Sequence, residues 1–125
     1  MMNSVSVNLW NRDFNLPAIY SCYPGEEVTE LQIKALKMFC EDKDAVQNML
    51  EDLKQYVAET SEEIAASSEI ENIFKYVMPK RLFIPRSKEM QVAIICNYKF
   101  DMENGIAIVF ENGSLLKIGT QDIIL

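Results

Sequence analysis

Asp101, Glu103 and Asn104 place three oxygen-bearing side chains inside the run Asp101-Met102-Glu103-Asn104-Gly105. Such donors suit a hard cation. Calcium, however, takes about six to eight oxygens, in loops that add a distant glutamate this run lacks. The same residues also suit a chain reversal. Asp and Asn bond their own backbone and accept left-handed φ, and Gly105 completes the turn. Gln121 and Asp122, near the end of the chain, add an amide and a carboxylate. Asp101, Glu103, Asn104, Gln121 and Asp122 therefore form one candidate turn site.

Catalysis is constrained by an absence. The 125 residues include no histidine, which removes Ser-His-Asp and Cys-His nucleophiles, histidine metal sites and every histidine general base. No GxxxxGK[ST] or GxGxxG loop is present to cradle a phosphate. Paired carboxylates can still run acid–base chemistry, but nothing in the sequence makes Asp101 and Glu103 converge with Glu111 or Asp122. The expectation is a non-catalytic protein with no cofactor and no metal. The three cysteines, Cys22, Cys40 and Cys96, have no metal-type spacing and read as free thiols in a reducing cytoplasm. No apolar run reaches the roughly 18 residues of a membrane span, and the N-terminus lacks the features of a signal peptide.

The formal charge of −7 is localised. Residues 41–71 hold ten acids and two bases, whereas the remainder holds nine acids and ten bases. A contiguous acidic stretch disfavours nucleic acid and favours a basic protein partner. Glu51, Asp52, Glu59, Glu62 and Glu63 are its candidate contacts. Lys75, Lys80, Arg81, Arg86 and Lys88 form a local basic run. It reads as an edge strand guarded by charge, and it permits a homo-oligomer in which it meets the acidic helices of another copy.

The elements that must position these residues follow from periodicity. Val5, Val7 and Leu9 alternate with polar residues from Ser4 to Trp10, predicting a strand. Phe14–Tyr23 predicts a second, with a turn at Asn11-Arg12-Asp13 and Pro17 implying an edge or bulge. Thr29 with Gln32 is a capping-box pattern opening a broad apolar helix through Cys40. A second helix follows from Asp42 or Asp44, with the stripe Val46, Met49, Leu50, Leu53, Tyr56 and Val57. Ser68-Glu69-Ile70-Glu71 predicts a short third helix that Pro79 stops, and Leu82-Phe83-Ile84 reads as a short edge strand between prolines.

From Val92 the chain becomes a meander. Val92, Ile94, Cys96, Tyr98 and Phe100 share one face, with Asn97 and Lys99 opposite, and Ile106, Ile108 and Phe110 repeat the pattern. Asn112-Gly113 is a favoured hairpin turn. The apolar run Ile123-Ile124-Leu125 suggests a docked C-terminal segment. The prediction is one α+β domain over residues 1–125. It has an N-terminal strand pair, two to three helices on one face of the sheet, and a C-terminal antiparallel meander.

CNYKFDMENGIAIVFENGSLLKIGTQDIIL resembles the ending of a group of small bacterial α+β domains of unassigned function. Those endings run aromatic, acidic, x, Glu, His, Gly, then an aliphatic strand, Asn-Gly or Asp-Gly, and a final Gly-x-Gln-Asp/Glu. Tyr98, Asp101, Glu103, Gly105, Phe110, Gly113, Gly119, Gln121 and Asp122 match. Asn104 departs, standing where the group often has histidine. Some members look like immunity-type proteins of bacterial toxin systems, so the resemblance implies a small cytoplasmic protein that binds and neutralises a toxin. A basic toxin would suit the acidic stretch through electrostatic steering. The alternative expectation is a small-molecule or calcium-binding regulatory domain that uses the 101–105 turn.

Overall fold

The computed structural model describes residues 2–41 and 43–125. Six strands form one sheet in chain order: β1 (Met2–Leu9), β2 (Arg12–Tyr20), β3 (Val77–Ile84), β4 (Gln91–Tyr98), β5 (Ile106–Glu111) and β6 (Ser114–Gly119). All neighbours are antiparallel except β2 and β3, which run parallel over Ala18–Tyr20 against Leu82–Ile84. Between them the chain crosses one face of the sheet as α1 (Glu30–Glu41), α2 (Lys43–Asn48) and α3 (Leu50–Thr60). The fold is α+β, as the periodicities require.

The capping box at the start of α1 forms in full. Gln32 N donates to Thr29 Oγ1 at 3.1 Å, and Thr29 N donates to Gln32 Oε1 at 2.9 Å. Gln32 is also the one buried polar side chain among the described residues. Its Nε2 donates to the Ser21 and Ile84 carbonyls at 2.8 and 3.0 Å. The helix start is thereby fastened to the ends of both strands at the parallel junction.

Several local expectations need correction. The first turn is Trp10-Asn11, both at positive φ (53° and 69°), so β2 starts at Arg12 and not at Phe14. A tryptophan is an unusual occupant of that region. Here its buried ring and the Nε1 bond to the Val46 carbonyl at 3.1 Å hold it. The predicted second helix is broken at buried Met49, whose φ −88° and ψ 2° leave α2 and α3 as separate segments. The predicted third helix is absent. Two 3-10 turns, Ser67–Glu69 and Ile73–Lys75, replace it, and Asn72 accepts from Phe74 N at the start of the second.

β3 is neither short nor at an edge. It spans eight residues at the centre of the sheet, and a register shift between Pro79 and Arg81 accommodates the proline. Pro17 sits inside β2 at an edge-like position, as expected, since the β3 ladder begins only at Ala18 and Pro17 has a strand partner on the β1 side alone.

The helices cover a core that includes Leu53, Val57, Leu82, Ile94, Ile106 and Ile108. β4 and β5 are buried on their second face as well. There Ala93, Ile95, Ala107 and Val109 pack beneath Phe83, Ile123 and Ile124. Simple alternation implied one buried face, and the C-terminal turn Gln121–Ile123 covers the other. Among the described residues, no helix is long and apolar enough to cross a membrane.

Candidate functional site

The two groups of candidate residues occupy different environments. Glu51 and Asp52 lie in the first turn of α3, where carboxylates face the positive end of the helix dipole. Gln55 and Glu59 follow on the exposed side of the same helix, at spacings that share one face with them. Glu62 and Glu63 are exposed in the loop that follows the helix. The partners are sparse. Lys54 Nζ lies 3.8 Å from Glu51, and Gln55 Nε2 donates to Glu59 Oε1 at 3.0 Å. Among the described residues no ion pair reaches Asp52, Glu62 or Glu63. The structure thus leaves all five acidic candidates exposed, with Glu51, Asp52 and Glu59 on one face of α3 and Glu62 and Glu63 just past its end.

The turn site is organised in the opposite way. Both carboxylate oxygens of Asp101 accept from the Asn104 side-chain amide, at 3.2 and 3.1 Å, and Oδ1 also accepts from Asn104 N. Gly105 N donates back to the Asp101 carbonyl at 2.9 Å. The C-terminal segment closes over this loop. Gln121 N donates to the Asn104 carbonyl at 3.0 Å, and Gln121 Nε2 to the Cys96 carbonyl at 3.1 Å. Asp122 accepts from its neighbour Thr120 Oγ1. Glu103 is exposed on the loop.

Gly105 explains why this position tolerates no side chain. At φ +60°, a Cβ there would stand 2.3 Å from Gln121 Nε2 and 2.7 Å from the Cys96 carbonyl. Asp101, Asn104, Gly105 and Gln121 are therefore parts of one staple, with their hydrogen bonds already spent. Among the described residues, no three His, Cys, Asp or Glu side chains converge as a metal site would require.

Beside the staple lies a tyrosine pair that periodicity assigned only to core. The Tyr56 and Tyr98 rings are 6.3 Å apart, and the Tyr98 hydroxyl shares a 2.7 Å hydrogen bond with Thr60 Oγ1. Burial raises the pKa of both, and the nearby Asp101 charge adds to the effect in each case. Tyr98 and Asp122 also raise Tyr56, while the Thr60 bond partly offsets the rise in Tyr98. A tyrosine closing a core stripe needs a polar partner for its hydroxyl, and that was the available signal. Cys96 is wholly buried, and burial pushes its thiol pKa up. Cys40 is half-buried and raised for the same reason, with Glu41 adding, and Cys22 is exposed.

The basic run does not guard an edge, because β3 is internal. Lys75 and Lys80 instead share an open surface with Tyr76 and Lys99. The Lys99 ammonium there lies 5.8 Å from both the Tyr76 and Phe100 ring centres.

A family model described as a domain of unknown function (DUF6985) matches residues 2–125. No curated protein and no solved structure matches.

Proposed function

We propose, from the premise that the chain belongs to the DUF6985 family, that the domain works by binding another protein and not by catalysis. The observation that carries this reading is that Glu51, Asp52, Glu59, Glu62 and Glu63 are all exposed and largely without partners on α3 and the loop that follows it. Exposed carboxylates of one sign attract a basic surface and raise its encounter rate. The histidine-free composition removes the commonest acid–base machinery. In its most concrete form, the partner is a basic bacterial toxin that the domain neutralises in the cytoplasm, as the resemblance of the C-terminal meander implies.

The test is affinity capture from source-cell lysate at low and moderate salt, with mass spectrometry, using the native chain and a Glu51→Lys/Asp52→Lys variant. One stoichiometric basic protein, retained by the native chain and lost by the variant, is the expected result. A partner held equally by both, or no stoichiometric partner at either salt, overturns the assignment.

A further inference from the structure

The two edges of the sheet are defended unequally. β6 is six residues long, carries the exposed Lys117, and is offset by a register shift between Val109 and Phe110. Charge and bulges of this kind are how natural sheets block edge-to-edge pairing. β1 has neither. Its eight residues, Met2–Leu9, include no charged residue and no proline, and they pair with β2 without any shift.

The hairpin geometry identifies which backbone groups β1 leaves outward. Leu9 and Arg12 flank a two-residue turn, so they form a hydrogen-bonded pair, and bonded and unbonded pairs alternate from there. Val7 and Val5 bond inward to Phe14 and Leu16, while the amides and carbonyls of Asn8, Ser6 and Ser4 point away from β2. Two independent details agree. Pro17, which has no N–H, stands opposite Ser4 at an unbonded pair. The Asn8 carbonyl accepts from Gln47 Nε2 at 2.6 Å, and Gln47 Oε1 accepts from Trp10 N at 3.0 Å. Gln47 thus acts as a short piece of neighbouring strand at one end of β1. Ser4 and Ser6 have no such cover among the described residues.

Alongside this edge runs a cleft of about 100 Å³, floored by Val7, Leu9, Phe39, Cys40 and Val46, with Gln47 at its end. We infer that β1 is an interface for a second copy of this chain, joined antiparallel through β1 about a two-fold axis at Ser6. In that register Ser6 meets its own counterpart, and Ser4 meets Asn8 of the second copy. All of these are residues whose backbone groups point outward; with the Asn8 carbonyl already held by Gln47, about four new backbone hydrogen bonds result. On the helix-facing side Val5 stands opposite Val7 of the second copy, apolar against apolar, and is directed toward the cleft. The hairpin's only charges, Arg12 and Asp13, balance, so the seam carries no net repulsion. A two-fold pairing also closes on itself, leaving no β1 edge for further copies.

The test is sedimentation equilibrium of the full chain over a range of concentrations, with Ser6→Pro and Ser6→Lys variants. Ser6→Pro deletes an outward amide without touching the β1–β2 ladder, and Ser6→Lys keeps the amide but sets two cations together across the axis. The expected result is a mass rising from 14.4 kDa to twice that value, with either variant weakening self-association by at least about tenfold while its melting temperature, taken at concentrations dilute enough for the chain to be monomeric, matches that of the native chain. A monomer mass at every concentration, or a dimer indifferent to both substitutions, overturns the inference.

Discussion

The carboxylates of Asp101 and of Asp52 have the same chemistry and opposite employment. Asp101 gives both oxygens to Asn104, and Gln121 seals the loop from the C-terminal side. Asp52 stands exposed on α3 among other acids. The first arrangement holds the meander to the tail, while the second is available to something outside the molecule. A cluster of polar residues in a turn is therefore a poor guide to a ligand until its internal hydrogen bonds have been counted. Substitutions in the two regions should separate stability from association.

The largest stability effect is expected from Gly105→Ala. The added Cβ meets Gln121 Nε2 and the Cys96 carbonyl well inside contact distance at positive φ, and a cost of about 2–4 kcal/mol in urea unfolding follows. Gln121→Ala leaves the Cys96 carbonyl without its side-chain donor and should cost about 1–3 kcal/mol. In contrast, Glu62→Lys with Glu63→Lys should change stability by no more than about 0.5 kcal/mol, while slowing capture of a basic partner at low salt. An equal loss of stability in both regions would erase the distinction.

The tyrosines beside the staple give a pH signature. An unfolded tyrosine ionises near pH 10.0, and the folded values of Tyr56 and Tyr98 lie higher. Their contribution is present in full below pH 10.0 and is lost as pH rises through the folded values. Buried Cys96 and half-buried Cys40, also raised from 9.0, begin the same loss earlier, so stability measured from neutral to strongly alkaline pH should fall from about pH 9.0 upward. Smallest in energy is a labelling contrast. A thiol reagent should modify exposed Cys22 promptly and reach buried Cys96 only on unfolding.

Much of this fold was legible because its signals are local. Thr29 and Gln32 announce the start of α1, Asn112-Gly113 announces a hairpin, and period-two runs announce β4 and β5. What failed depended on distant partners. Trp10 turns the chain because Val46 and Gln47 hold it in place. Pro79 continues a strand because a register shift absorbs it. Neither partnership is written within ten residues of its site. The five acidic candidates were readable as a charge run, and the shared face of Glu51, Asp52 and Glu59 follows from helical spacing. Asp101, Asn104 and Gln121 were grouped as one candidate site, but that they bond one another as a staple could not be read, since it requires β4–β6 to be in register first.

The parallel junction has a kinetic consequence. The N-terminal hairpin and the C-terminal meander each consist of strands close in sequence and can form early. Their union rests on three paired positions, Ala18–Tyr20 with Leu82–Ile84, together with the Ser21 amide and the Gln32 amide on the Ile84 carbonyl. Closing that ladder means bringing together segments separated by the whole helical crossover, at an entropic cost that grows with loop length. Gln32 can supply its two bonds only once α1 has started at Thr29 and both strand ends have arrived. This makes it a latch that engages at the last step of folding, and Gln32→Leu should hasten unfolding far more than it delays folding.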